Sequence, residues 1–387
     1  MTERVPFLVD RMQGFGTTIF AEMSARAAAT GAINLGQGYP DTDGPPEVAG
    51  AAIAAIRGGH NQYPPGAGEP VLREAIARHQ RHWYGIDLDP ETDVLVTAGA
   101  TEGIAASVLA LCEPGDELVM FEPYFDSYAA VTALAGAARR VVTLRPPDYG
   151  FSVDALRAAI TSRTRVLLLN TPHNPTGKVF TRTELEQIAA ICIEHDLIAV
   201  TDEVYEHLTF DGREHIPLVT LPGMAQRTVT VSSAGKTLSY TGWKVGWVTG
   251  TAALVTAVRT VKQFLTYVNG APFQPAIALG LDLPDARFAA LAADLQARRD
   301  RLCAGLRSVG FEVFEPAGTY FATVDIRSVG EEDGLAFCRS LPDRCGVAAV
   351  PNVVFYDDEA AGRSLVRFTF CKRPEVLDEA LERLRRL

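Results

Sequence analysis

Residues Arg165–Asp202 read RVLLLNTPHNPTGKVFTRTELEQIAAICIEHDLIAVTD, and this stretch decides the fold. The apolar run Arg165–Asn170 predicts a strand covered on both faces. Asn-Pro and Thr-Gly follow as turn dipeptides. Thr181, with Glu184 three residues on, resembles a capping box opening a helix over Thr183–His195. A second apolar run, Ile198–Thr201, stops at Asp202. Strand, helix, strand is the unit of a parallel sheet, because a parallel return needs a crossover long enough for a helix.

The alternation extends outward. Further strands are expected at Val94–Thr97, Glu117–Phe121, Arg139–Leu144 and Thr228–Ser232, with helices at Thr101–Leu111, Phe125–Ala135 and Val153–Ile160. The expected fold class is α/β, a mainly parallel sheet sandwiched by helices. After about residue 285 the pattern changes. A long charged helix over Phe288–Ser308 precedes short strands at Glu312–Phe314, Tyr320–Asp325 and Leu365–Phe370 and a final helix. That reads as a smaller α+β domain. The expected division is an N-terminal arm (1–45) joining the small domain, a large domain (46–284) and a small C-terminal domain (285–387). A chain of 387 residues suits about two such cores.

Composition narrows the function. A net charge of −11 argues against a nucleic-acid groove or an anionic membrane surface. No apolar run approaches the roughly 20 residues that span a bilayer. The opening MTERVPFLVDRM lacks the apolar stretch of an export signal. Cys112, Cys192, Cys303, Cys338, Cys345 and Cys371 form no CxxC and are too sparse for a disulfide framework, which points to a reducing cytoplasm. His173 has no second ligand at a suitable spacing, so no metal site is expected. The charge runs Arg298–Arg301 and Glu331–Asp333 read as solvated surface.

In an open parallel sheet, chemistry collects at the carboxyl ends of strands. Asn170–Gly177 follows one strand and, alone, is a turn. Asp202 ends another, with Tyr205 three residues on. It caps a helix, binds magnesium beside a nucleotide, or pairs with a protonated ring nitrogen. Gly99, Ala100 and Thr101 form a tight turn or present amides to an anion such as phosphate. The stretch Val231–Trp247, VSSAGKTLSYTGWKVGW, contains the Gly-Lys-Thr of a P-loop. That loop needs a glycine where Thr230 stands, so Lys236 is not a nucleotide clamp, and the magnesium reading of Asp202 goes with it. Together the clusters describe a site for pyridoxal 5′-phosphate (PLP): a helix start, Ser233 and Lys244 for the phosphate, Asp202 for the ring nitrogen, Tyr205 and Asn174 for the phenolic oxygen, and Lys236 for a Schiff base.

The ordered set NLGQGYPD, NQYPPG, GATEG, EPYFDSY, NTPHNPTG, TDEVYEHL, SSAGKTLSYTGWKVGW and LVRFTFCKR resembles class I PLP-dependent aminotransferases of fold type I over almost the whole chain. Within them it is most similar to N-succinyldiaminopimelate and kynurenine/glutamine aminotransferases. The resemblance implies that Lys236 is the Schiff-base lysine that shuttles the substrate proton. Asp202 would be the ring-nitrogen partner, and Asn174 and Tyr205 the pair on the phenolic oxygen. Phe125 would stack on the cofactor. Gly99, Ala100, Thr101, Ser233 and Lys244 would contact its phosphate; many relatives carry Arg where Lys244 stands. Arg367 and Gly38 would take the substrate α-carboxylate, and Phe20 would line the side-chain pocket. Tyr63 would reach the phosphate of a neighbouring subunit, which implies a homodimer with shared sites.

The implied activity moves an amino group between an α-amino acid and a 2-oxo acid such as 2-oxoglutarate, with N-succinyl-diaminopimelate among the donors. Kynurenine or glutamine transamination, cysteine-S-conjugate β-elimination and decarboxylating deamination are the alternatives. Leu238 and Tyr240 depart from the family pattern beside the lysine. Tyr39, Tyr267 and Phe273 line the pocket or fill core. A PLP-binding sensor without turnover usually adds a basic helix-turn-helix segment, and the first 40 residues show none.

Overall fold

The computed structural model describes residues 5–387. The chain opens with α1 (Ile19–Thr30), β1 (Ile33–Asn34), α2 (Pro46–Arg57) and α3 (Pro70–Tyr84). The central alternation follows: β2 (Val94–Thr97), α4 (Gly99–Leu111), β3 (Glu117–Glu122), α5 (Asp126–Leu134), β4 (Ala138–Thr143), α6 (Val153–Ala159), β5 (Thr164–Asn170), α7 (Arg182–Glu194), β6 (Ile198–Asp202) and β7 (Thr228–Ser233). The one-turn α8 (Ala234–Thr237), β8 (Gly246–Thr249), α9 (Ala252–Lys262) and α10 (Phe273–Leu281) complete this part. Then come α11 (Asp285–Val309), β9 (Glu312–Phe314), β10 (Phe321–Asp325), α12 (Gly334–Cys345), β11 (Val347–Ala348), β12 (Val350–Pro351), α13 (Glu359–Gly362), β13 (Leu365–Thr369) and α14 (Pro374–Leu384).

The main sheet has seven strands in the order β2-β8-β7-β6-β5-β3-β4. Its pairs from β7 to β4 are parallel. β8 runs antiparallel to both its neighbours, β2 and β7. The alternate residues of β5 explain why the sheet needs helices on both faces. Val166 and Leu168 join the core beneath α4 and α5, while Leu167 and Leu169 join the one beneath α7. Burying a side chain of this size is worth about 1.5–3 kcal/mol, and β5 does so on both sides. The capping box at α7 forms: Glu184 Oε2 accepts from the Thr181 amide at 2.8 Å, and Thr181 Oγ1 accepts from the Glu184 amide at 3.3 Å.

All six expected strands of this sheet are present. β8 is the addition. Its four residues, GWVT, lie after a glycine-rich turn and are too short for a strand signal. The helices α2, α3, α9 and α10 are further elements that the sequence reading did not name.

A second sheet, β12-β13-β10-β9, is antiparallel. β1 pairs in parallel with β11, so the N-terminal segment packs beside the C-terminal part of the chain. All six cysteines are free and buried. Among the described residues, no helix is long and apolar enough to cross a membrane.

Candidate active site

The carboxyl ends of three neighbouring strands converge on one cavity of about 360 Å³. Asn170 ends β5, Asp202 ends β6 and Ser233 ends β7. Gly99 starts α4 one residue after β2, and Lys236 follows β7 on α8. The N-terminal segment adds Phe20, Gly38 and Tyr39, and the second sheet adds Phe321 and Arg367. Every residue to which the resemblance assigns a role lines this cavity except Tyr63. Tyr63 is 82% exposed and meets the ring of Tyr267 edge-on. Tyr39 lines the cavity; Tyr267 and Phe273 do not.

One end suits an anion. Gly99 takes φ +72, open to glycine but costly for other residues. A Cβ on it would lie 3.2 Å from Lys244 Nζ. A Cβ on Gly246 would lie 2.6 Å from the carbonyl carbon of Gly99, so both glycines let the turn close over the strand. Lys244 Nζ donates to Thr101 Oγ1 at 3.4 Å. The free amides of the first turn of α4 and an ammonium therefore meet at one place.

The centre holds an acid and an amine. Tyr128 donates its hydroxyl to Asp202 Oδ2 at 2.6 Å, and the Val204 amide donates to Oδ1 at 3.3 Å. Burial pushes the Asp202 carboxyl up from its ordinary value, while these donors and the Lys236 charge pull it down. Burial likewise pushes the Lys236 amine down to about 8 and the Tyr205 phenol up. Asn174 is placed by its own loop: its amide donates to Asn170 Oδ1 at 2.7 Å, and Asn170 Nδ2 donates to the Asp202 carbonyl at 2.9 Å.

The far end holds Arg367, 1% exposed. Its guanidinium donates to Asn174 Oδ1 and to the Gly36 carbonyl, each at 2.9 Å. It lies 3.9 Å from the Phe321 ring centre, and Phe20 and Phe355 are at 5.2 Å. Its Nε has no partner among the described residues. Burial pushes its pKa down to about 10. A buried cation held by neutral acceptors, with no carboxylate bonded to it among the described residues, is a socket for an anionic ligand.

These features fit PLP in kind: an anion cradle, a central amine, and an acid for a ring nitrogen. Sequence reasoning missed Tyr128 and Asn170, which line the cavity. Tyr128 had a signal, since EPYFDSY places it about one helical turn after Phe125. His173 makes a local bond to Thr176 Oγ1 at 2.8 Å.

A second buried polar cluster lies behind the strand ends. Ligating atoms of His79, Glu206 and His207 lie within 4.8 Å of one another. The two histidine Nε2 atoms are 2.9 Å apart and share a hydrogen bond. Ring centres 4.9 Å apart aim the nitrogens at each other rather than at a common third point, so the pair does not form a ligand set as it stands.

A helix-flanked, mostly parallel sheet with a buried lysine at its carboxyl edge is the architecture of PLP-dependent amino-group transferases. The chain belongs to the family of class I and II aminotransferases, whose family model matches residues 30–384. It is 55% identical, over 97% of both chains, to a probable N-succinyldiaminopimelate aminotransferase of Mycobacterium tuberculosis. The solved structure of N-succinyldiaminopimelate aminotransferase from that organism superposes with a TM-score of 0.96 at 55% identity, covering 98% of this chain and 99% of that one. Methionine aminotransferase of Escherichia coli is 38% identical over 97% of each chain.

Proposed function

We propose that this aminotransferase exchanges the amino group of an N-succinylated diaminopimelate with the glutamate/2-oxoglutarate pair, using PLP held in the cavity described above. The likeness to the Mycobacterium tuberculosis protein supports the substrate. The observation that carries the chemistry is the meeting of Lys236, Asp202 and Arg367 in one cavity.

In this reading Gly99, Ala100, Thr101, Ser233 and Lys244 take the phosphate, and Phe125 flanks the ring. Asp202 takes the ring nitrogen; a protonated nitrogen beside it restores the carboxylate that burial disfavours. Asn174 and Tyr205 take the phenolic oxygen. When bound, PLP supplies an electron-withdrawing ring that spreads negative charge from the substrate's α-carbon. Arg367 and the backbone of Gly38 fix the α-carboxylate and so orient that carbon. Lys236 holds and moves the α-proton. With its pKa near 8, about a tenth of the amine is unprotonated at pH 7, the form that accepts a proton.

Tyr63 is assigned to the pocket of a second copy, and its exposure beside Tyr267 supports a homodimer. The division at about residues 45 and 284 is supported by the pairing of β1 with β11. A cytoplasmic site is supported by the six buried thiols.

One observation favours a second reading. Phenylalanines crowd Arg367, and it is the lone arginine among the described residues that line the cavity. That suits an apolar side chain such as that of methionine. A panel of donors with 2-oxoglutarate separates the two. N-succinyl-diaminopimelate is expected to exceed methionine in kcat/KM by about tenfold or more, a scale that one added polar contact supplies. A faster reaction with methionine selects the second reading. Ammonia and pyruvate from a cysteine conjugate, without glutamate, would make elimination the reaction.

A further inference from the structure

Tyr320 precedes β10 and is fully buried, and no assignment above uses it. Its hydroxyl donates to the Gly38 carbonyl at 2.6 Å. The Lys236 amine donates to the same phenol oxygen and lies 3.3 Å from the same carbonyl. Amine, phenol and carbonyl therefore close a triangle. A phenol has one proton, and here it is committed to Gly38, so the oxygen meets the lysine only as an acceptor. The rings of Tyr205 and Tyr320 flank the amine at 5.6 and 5.1 Å.

Two features hold this arrangement in place. Thr319, just before Tyr320, takes φ +65. A β-branched residue there is strained by roughly 1–3 kcal/mol and persists only when its surroundings enforce it. Its amide donates to the Leu208 carbonyl at 2.9 Å, and its Oγ1 accepts from the Phe321 amide at 3.3 Å. At residue 38, a Cβ would lie 2.9 Å from the Tyr320 ring and 2.3 Å from that of Phe321. Glycine lets the backbone come close enough for its carbonyl to meet the phenol.

We propose that Tyr320 is a positioning residue of this site: its phenol oxygen receives the ε-amine of Lys236 whenever that amine is free, and so sets where the amine points and how firmly it holds a proton. This rests on the assignment of Lys236 as the proton-carrying amine. Burial disfavours the charged amine, as do Arg367 and Lys244, while Cys371 and Asp202 favour it; the phenol acceptor acts with the latter pair. Removing the oxygen weakens the hold on the proton and frees the amine to swing.

Tyr320→Phe keeps the ring and removes the oxygen. In the cofactor-free, full-length protein, labelling of Lys236 by trinitrobenzenesulfonate is read by peptide mass spectrometry against pH. The midpoint is expected to move to lower pH, with labelling at pH 7 several-fold faster. Looser packing that lets in water would move the midpoint the other way, up, because burial is what lowers it. In the loaded enzyme, kcat is expected to fall roughly 10- to 100-fold, the range for losing a hydrogen bond to a charged group. KM for the amino donor should stay within about two-fold, because Arg367 is untouched. An unmoved midpoint overturns the proposal. If the phenylalanine variant does not fold, Tyr320→Met, also without a hydroxyl, carries the same two expectations and the same refutation. Lys236→Ala separates the levels. Should it keep its turnover, the assignment of the site fails. Should it be inactive while Tyr320→Phe behaves as wild type, the role of Tyr320 alone fails.

Discussion

Asp202 and Glu203 are consecutive, yet they face opposite sides of one strand end. Asp202 enters the cavity with Tyr205, Ser233 and Lys236. Glu203 enters the rear cluster with Glu206, Ser232, His79, His207 and His215. Both regions are buried and polar. They differ in how their charges are matched. Behind the strands, Ser232 donates to Glu206 at 2.6 Å, His215 meets Glu203 at 2.7 Å and His79 meets His207 at 2.9 Å. In the cavity, Arg367 and Lys236 are hydrogen-bonded to neutral oxygens and have no acid in direct contact among the described residues. The rear groups find most of their partners within the cluster, although His79 Nδ1, His215 Nδ1 and Glu203 Oε1 have none among the described residues. Buried charges left open await a ligand.

Arg367→Met strikes the contrast hardest. It removes a buried cation whose proposed partner is a substrate carboxylate. Turnover per unit of substrate, kcat/KM, is expected to fall about 100-fold or more, as when one member of a buried charge pair is lost. The melting temperature should hold or rise, since an unmatched charge is also lost. Steady-state kinetics and calorimetry decide; a large loss of stability with intact kcat/KM would place Arg367 with the rear cluster.

The adjacent serines give a finer comparison. Ser233→Ala is expected to weaken PLP binding roughly 10-fold, with the stability of the cofactor-free protein little changed. Ser232→Ala leaves the Glu206 carboxylate short of a donor. It should lower the urea-unfolding free energy by about 1–2 kcal/mol while turnover stays within about two-fold. Equal effects from the two serines would erase the distinction between the faces.

Acid sensitivity gives a further comparison. Burial pushes His79 down to about 4 and His207 well below its ordinary value. Between about pH 6.5 and 4 the unfolded chain binds a proton that the folded His79 refuses, so stability falls as pH drops through that window. Glu206 and Asp202, both pushed up by burial, act in the opposite sense and offset part of it. His79→Gln is expected to flatten the fall in unfolding midpoint between pH 7 and 5. An equally steep fall would remove the rear cluster from the acid response.

The main alternation was legible because β5 and β6 are continuous apolar runs between turn residues, and α7 carries its capping box in full. β8 was not, because four residues between turns hold too little pattern. Within the cavity, Asp202, Ser233 and Lys236 stand at strand ends where the topology rule points. Tyr128 was within reach, one turn along a helix from Phe125. Tyr320 was not. It stands 84 residues from Lys236 and arrives from the other sheet. Nor could TDEVYEHL reveal that its alternate polar residues divide between a cavity and a closed cluster.

By itself the sequence determined the central strand and helix alternation and the chemical types waiting at the strand ends, because local patterning and motif spacing are properties of neighbouring residues. Tertiary structure alone decided which of those groups would share a cavity and which would be matched behind it. It also brought Arg367, Tyr320 and Gly38 to the lysine from remote parts of the chain. Burial then set the proton affinities of Lys236 and Asp202, since the cost of a charge depends on everything folded around it.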